Sequence, residues 1–81
     1  MPRAMTDQER LDELEAQAEL AYAEMYDNPT AAAARYSDAK EALYDAIGLA
    51  QRLGRTDVAS RLNARLAHIK AVFRSQFAGI G

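Results

Sequence analysis

PTAAAARYSDAKEALYDAIGLAQRL, residues 29–53, reads as one helix with a wide apolar face. At 3.6 residues per turn, Ala32, Tyr36, Ala39, Leu43, Ala46, Ile47, Ala50 and Leu53 fall on a single side. Ala42 and Leu49 broaden that side to an arc of about 160°, where about 100° suffices to face one core. A face that wide has room for two neighbours, so the segment is expected to be the middle helix of three. Gly48 falls on its polar side, where Gly costs roughly 1 kcal/mol relative to Ala. It is either incidental or admits a closely approaching backbone.

Upstream, Thr6-Asp7-Gln8-Glu9 matches a capping box. The apolar residues Leu11, Leu14, Ala18, Ala21 and Met25 follow as a narrow seam at alternating spacings of three and four, with Tyr22 beside it. Leu20 stands nearly opposite that seam, near Ala16 and Ala23. It is either an ordinary exposed leucine or part of a second contact surface. Asn28-Pro29 then interrupts the pattern. Asn suits a cap, Pro suits a first helical position, and the residue before Pro avoids helical geometry. A tight turn between antiparallel helices is expected rather than one long helix kinked at Pro29, which would cost about 3 kcal/mol.

Downstream, Gly54 is expected in the left-handed position that ends a helix. Thr56 is expected to cap the next helix, with Asp57 in its first turn. Val58, Ala59, Leu62, Leu66, Ile69, Phe73 and Phe77 give that helix its apolar face, and Gly79 closes it. No alternating β-branched run competes. The fold class expected is therefore all-α, a three-helix up-down-up bundle in a single domain, with helices at about 6–27, 29–53 and 56–78.

A chain of 81 residues buries only about 60–65% of the surface its unfolded form exposes, so the core is thin and oligomerisation is a common remedy. There is no Cys, hence no disulfide framework and no thiolate metal site. The opening residues lack the apolar stretch of a secretion signal, and no apolar run approaches the roughly 20 residues of a membrane span. A soluble, cytoplasmic protein without a membrane partner is expected.

The net charge of −2 hides a strong asymmetry. Residues 1–28 carry eight carboxylates (Asp7, Glu9, Asp12, Glu13, Glu15, Glu19, Glu24, Asp27) against Arg3 and Arg10, a net of −6. Residues 29–53 are neutral, and residues 54–81 set Arg55, Arg61, Arg65, Lys70 and Arg74 against Asp57 alone, a net of +4. The first and third helices then either pair their charges side by side or leave the basic helix for an acidic partner. On a helical wheel, Arg61, Arg65, His68 and Val72 form one row beside the apolar face, with Lys70 and Arg74 on its other edge. Cations on both flanks suit residues whose stems cover the core rim, which favours pairing.

A role as a nucleic-acid accessory protein using the basic third helix is the alternative, and the pI near 5.3 with so many carboxylates argues against it. His68 is the only His and has no carboxylate three or four residues away, a poor start for a metal site or a general base. Pairs such as Asp12–Glu15 and Glu15–Glu19 read as a solvated acidic face. Phosphate loops, nucleophile–base pairs and zinc spacings are lacking. The chain is therefore expected to be no enzyme, with no catalytic residue, no cofactor and no metal.

What remains is surface. Ser60, Ala64, Ala67, Ala71 and Ala78 line the back of the third helix as a smooth strip that either reflects helix propensity or lets another helix approach closely. Ala64, Ala67, Ala71, Arg61, Arg65 and Leu20 are thus the candidate partner-binding residues.

The spacing of Tyr36, Ala39, Leu43 and Ala46 resembles that of the second helix of a tetratricopeptide repeat, with Leu62 and Leu66 where a following repeat would place apolar residues, a likeness of about 30 residues. Asn63 replaces a small residue of that pattern, no Pro closes the second helix and the first helix does not match. No family is assigned on it. The expected function is a small non-catalytic helical interaction module, binding a protein partner or itself, with a homodimer among the options.

Overall fold

The computed structural model describes residues 4–77. Three α-helices of 21 residues each make up most of it: α1 (Asp7–Asp27), α2 (Ala32–Arg52) and α3 (Thr56–Gln76), with a 3-10 turn at Pro29–Ala31. They form an all-α three-helix up-down-up bundle, with no strand among the described residues.

Thr6 closes the start of α1 with the expected capping box. Its hydroxyl accepts from the Glu9 N–H at 3.1 Å, and the Glu9 carboxylate accepts from the Thr6 N–H at 3.0 Å. Leu11, Leu14, Ala18, Ala21 and Met25 are all buried, as the seam requires. Asn28 leaves the helix at φ −139°, ψ 82°, outside the helical region that a residue before Pro avoids. The junction is a turn, not a kinked continuous helix.

The second helix begins later than its sequence suggests. The Asn28 side chain does not cap it, because its Oδ1 accepts from the Thr30 hydroxyl at 2.7 Å instead. With Pro29 lacking an N–H, the chain winds one 3-10 turn before α2 opens at Ala32. Of the eight buried residues on α2, five are alanine, while Leu43, Ile47 and Leu49 supply the bulk. Small residues on both flanks let two helices close on a slim central one.

Leu53 departs from expectation, being 37% exposed. It is the capping residue at the end of α2, where the chain already turns away from the core. Gly54 adopts φ 71°, its N–H donates to Gln51 O at 3.1 Å, and the Arg55 N–H donates to Ala50 O at 2.8 Å. These two bonds are a Schellman closure. They also shift the start of α3, since Arg55 takes the capping position and Thr56 becomes the first helical residue, with no side-chain cap. A Cβ built on Gly48 would meet only Arg52 Nη1, at 3.8 Å, so no backbone approaches there.

Val58, Ala59, Leu62, Leu66 and Ile69 bury the inner face of α3, and Phe73 and Phe77 are half-buried. Gly79 and Ala78 lie outside the described residues. Leu11, Met25, Leu43, Leu62 and Ile69 are the largest fully buried side chains, and no polar or charged residue is buried among those described. The helix α2 packs against both neighbours, more extensively against α1, whereas the backbones of α1 and α3 scarcely meet.

Candidate functional site

Side chains bridge what the backbones of α1 and α3 leave open. Since both helices pack on α2 with short connections, they run parallel, and their rows of opposite charge face each other in register. Arg55 Nη1 donates to Gln8 Oε1 at 3.1 Å, Arg61 Nη1 lies 2.8 Å from Glu15 Oε1, and Arg65 binds Glu19 through Nε and Nη2 at 2.8 and 2.6 Å. Arg65 also lies 4.9 Å from the Tyr22 ring centroid. Its hydrogen bond holds the Glu19 carboxyl below the ordinary glutamate range and raises its own pKa, and the bond to Glu15 does the same for Arg61.

Beneath these pairs lies a cleft of about 470 Å³, floored by Leu43 and Leu62 and lined by Glu15, Glu19, Arg61, Ala64 and Arg65. Its two acids and two bases are matched one to one. The cleft is therefore close to neutral, and its charges already hold each other.

A second feature gathers at the far end of the bundle. Tyr36 and Phe73 stack in parallel at 4.0 Å, Phe73 meets Phe77 at 5.9 Å, and Phe77 meets the edge of Tyr26 at 5.6 Å. Tyr26 then contacts Tyr22 at 5.6 Å, and Tyr22 contacts His68 at 6.4 Å. The Tyr22 and Tyr26 hydroxyls share a hydrogen bond of 3.3 Å, which together with burial raises the Tyr22 pKa. Next to this row is an apolar hollow of about 370 Å³ lined by Pro29, Thr30, Ala32, Ala33, Phe73 and Phe77. On the outer α2–α3 edge, Lys70 Nζ donates to the exposed Tyr44 hydroxyl at 2.8 Å and lowers its pKa.

Of the candidate partner-binding residues, Arg61, Ala64 and Arg65 come together in the cleft. Ala67 and Ala71 are exposed on α3, and Leu20, 62% exposed, stands on α1 apart from the cleft. Both arginines are held by α1, the pairing reading of the charge asymmetry. The aromatic row and its hollow are absent from the expectations drawn from sequence. Tyr36, Phe73 and Phe77 are visible there as face residues, but nothing local tells that three helices bring them together.

Among the described residues, no group of three His, Asp or Glu side chains is placed to hold a metal ion, and no helix is long and apolar enough to cross a membrane. The fold and its surfaces define a small all-α bundle with a charge-bridged groove at one seam and an aromatic end. No protein-family model, curated protein or solved structure matches the chain.

Proposed function

We propose that this protein is a small non-catalytic helical interaction module that docks on another helical protein or on itself. The observation that carries the reading is Leu20, 62% exposed in the middle of a helix whose other face is fully packed. Folding does not require an apolar side chain there. Ala16 and Ala23 beside it are exposed and small, so a partner helix can approach the backbone closely. The exposed strip of Ala64, Ala67 and Ala71 on α3 is a second surface of the same kind. Use of α3 on nucleic acid draws no comparable support, because Arg61 and Arg65 are engaged with Glu15 and Glu19.

Light scattering over a concentration series, paired with affinity capture from the source cell, tests the reading. A rising mass, or a captured partner lost on Leu20→Glu or Ala67→Arg, is the expected result. A strict monomer that also captures nothing in a variant-sensitive way overturns it.

A further inference from the structure

We infer that Tyr44 is a covalent modification site, whose phenol oxygen accepts an acyl group from an activated acyl donor while Lys70 stands at that oxygen. The inference is independent of the interaction-module reading. Tyr44 is 51% exposed on α2, and Lys70 Nζ donates to its hydroxyl at 2.8 Å. Each of the two follows a fully packed neighbour, Leu43 at 1% and Ile69 at 0% exposure, so the helices hold the pair in register. The ammonium lies 5.3 Å from the ring centroid, nearly in line beyond the oxygen, and so covers neither face of the ring.

A phenol is a weak nucleophile until it ionises, and a cation that donates to the phenolate form activates it. At Tyr44 the Lys70 hydrogen bond is the main cause of a lowered pKa, and the charges of Lys70 and Lys40 add to it against desolvation. Lys40 stands one turn earlier on α2 and Glu41 and Asp45 lie nearby, while Asp7, Arg10 and Arg52 line a hollow that Tyr44 borders toward α1. The other three tyrosines are differently placed. Tyr22 and Tyr26 share a hydroxyl–hydroxyl bond, with the Tyr22 pKa raised, and Tyr36 is half-buried between Phe73 and Lys40. Tyr44 is thus the one tyrosine that is exposed and bonded to a cation through its oxygen. In the step, that oxygen bonds to the acyl carbon, the bond from this carbon to the leaving group breaks, and the phenolic proton ends on the leaving group. By analogy with thiols, nucleophilicity falls only about half as fast as the pKa, so the larger phenolate fraction wins at neutral pH.

Initial rates of acetylation by N-acetylimidazole at neutral pH, mapped by mass spectrometry of peptides from the full chain, test this. Imidazole is the leaving group, and hydroxylamine cleaves the resulting aryl ester but not an acetylated lysine, so the two products are told apart. Tyr44 is expected to acetylate several-fold faster than Tyr26, which is 45% exposed. Lys70→Met is expected to remove that lead and to move the pH profile of Tyr44 acetylation upward, with circular dichroism verifying that the variant folds. Equal rates at Tyr44 and Tyr26 in the parent overturn the proposal. So does a Tyr44 rate and pH profile that Lys70→Met leaves unchanged.

Discussion

Arg65 closes on Glu19 with two parallel bonds, Nε to Oε2 at 2.8 Å and Nη2 to Oε1 at 2.6 Å, across a groove where the helix backbones scarcely meet. Bidentate geometry and the Tyr22 ring beside the guanidinium make it the firmest tie between α1 and α3. The two side chains remain 36% and 48% exposed, so solvent screening limits the gain. Arg65→Ala should destabilise the fold by about 1 kcal/mol, and the difference from the parent should shrink at high salt. Urea unfolding at two salt concentrations measures both.

The same pair gives the fold an acid limb. Glu19 in the folded protein titrates below its ordinary 4.5, so the folded state binds fewer protons than the unfolded state as pH falls. The stabilisation is full above the unfolded pKa and is lost as pH drops through the lowered folded one. Glu19→Gln should flatten the decline of Tm below about pH 4.5. Thermal melts of parent and variant across that range would show parallel limbs if the pair had no effect.

Leu43 is 1% exposed at the middle of α2 and also floors the cleft. Leu43→Ala should cost about 2–5 kcal/mol. In a domain this small that lowers Tm by roughly 10 °C or more. A variant melting within a degree or two of the parent would show that α2 is not the centre of the fold.

Two glycines should respond in opposite directions. Gly48 is helical, and a Cβ there would make only an ordinary contact with the end of the Arg52 side chain, so Gly48→Ala should stabilise by about 0.5–1 kcal/mol. Gly54 sits at φ +71°, where Ala is strained despite the open space, so Gly54→Ala should destabilise by about 1 kcal/mol. Equilibrium unfolding of the two variants side by side is the check.

Tyr36 and Phe73 lie almost parallel, with 3° between their planes. A double-mutant cycle with Tyr36→Leu and Phe73→Leu should yield a coupling of about 0.5–1.5 kcal/mol beyond the area each ring buries. Additive losses would mean that the rings are neighbours without mutual stabilisation.

Features encoded in residues close along the chain are legible in the sequence alone. Thr6 and Glu9 are three apart and satisfy each other directly, and Gly54 ends its helix because few other residues tolerate that backbone. The buried faces of all three helices also followed from periodicity. Periodicity does not show where burial stops, so it puts Leu53 on a face that the chain leaves at that point. Asn28 and Thr56 cap neither helix with their side chains, because the Thr30 hydroxyl takes the Asn28 amide oxygen and the closure around Gly54 puts Arg55 at the capping position. Charge asymmetry announced that α1 and α3 attract, but the match of Arg65 with Glu19 depends on the stagger of helices joined only through α2. The aromatic row depends on that stagger twice over.

The five buried alanines of α2 make no polar contact, yet they govern the polar seam. A methyl group is the shortest spacer a side chain can offer, and it sets how near α1 and α3 lie to the central axis. An arginine has a fixed reach. Enlarging Ala39, Ala46 or Ala50, each with no exposed surface, would wedge a flanking helix outward and carry its carboxylates beyond the grasp of the opposing guanidinium groups. The gauge of the salt-bridged seam is therefore cut in the hydrophobic interior, by residues that carry no charge.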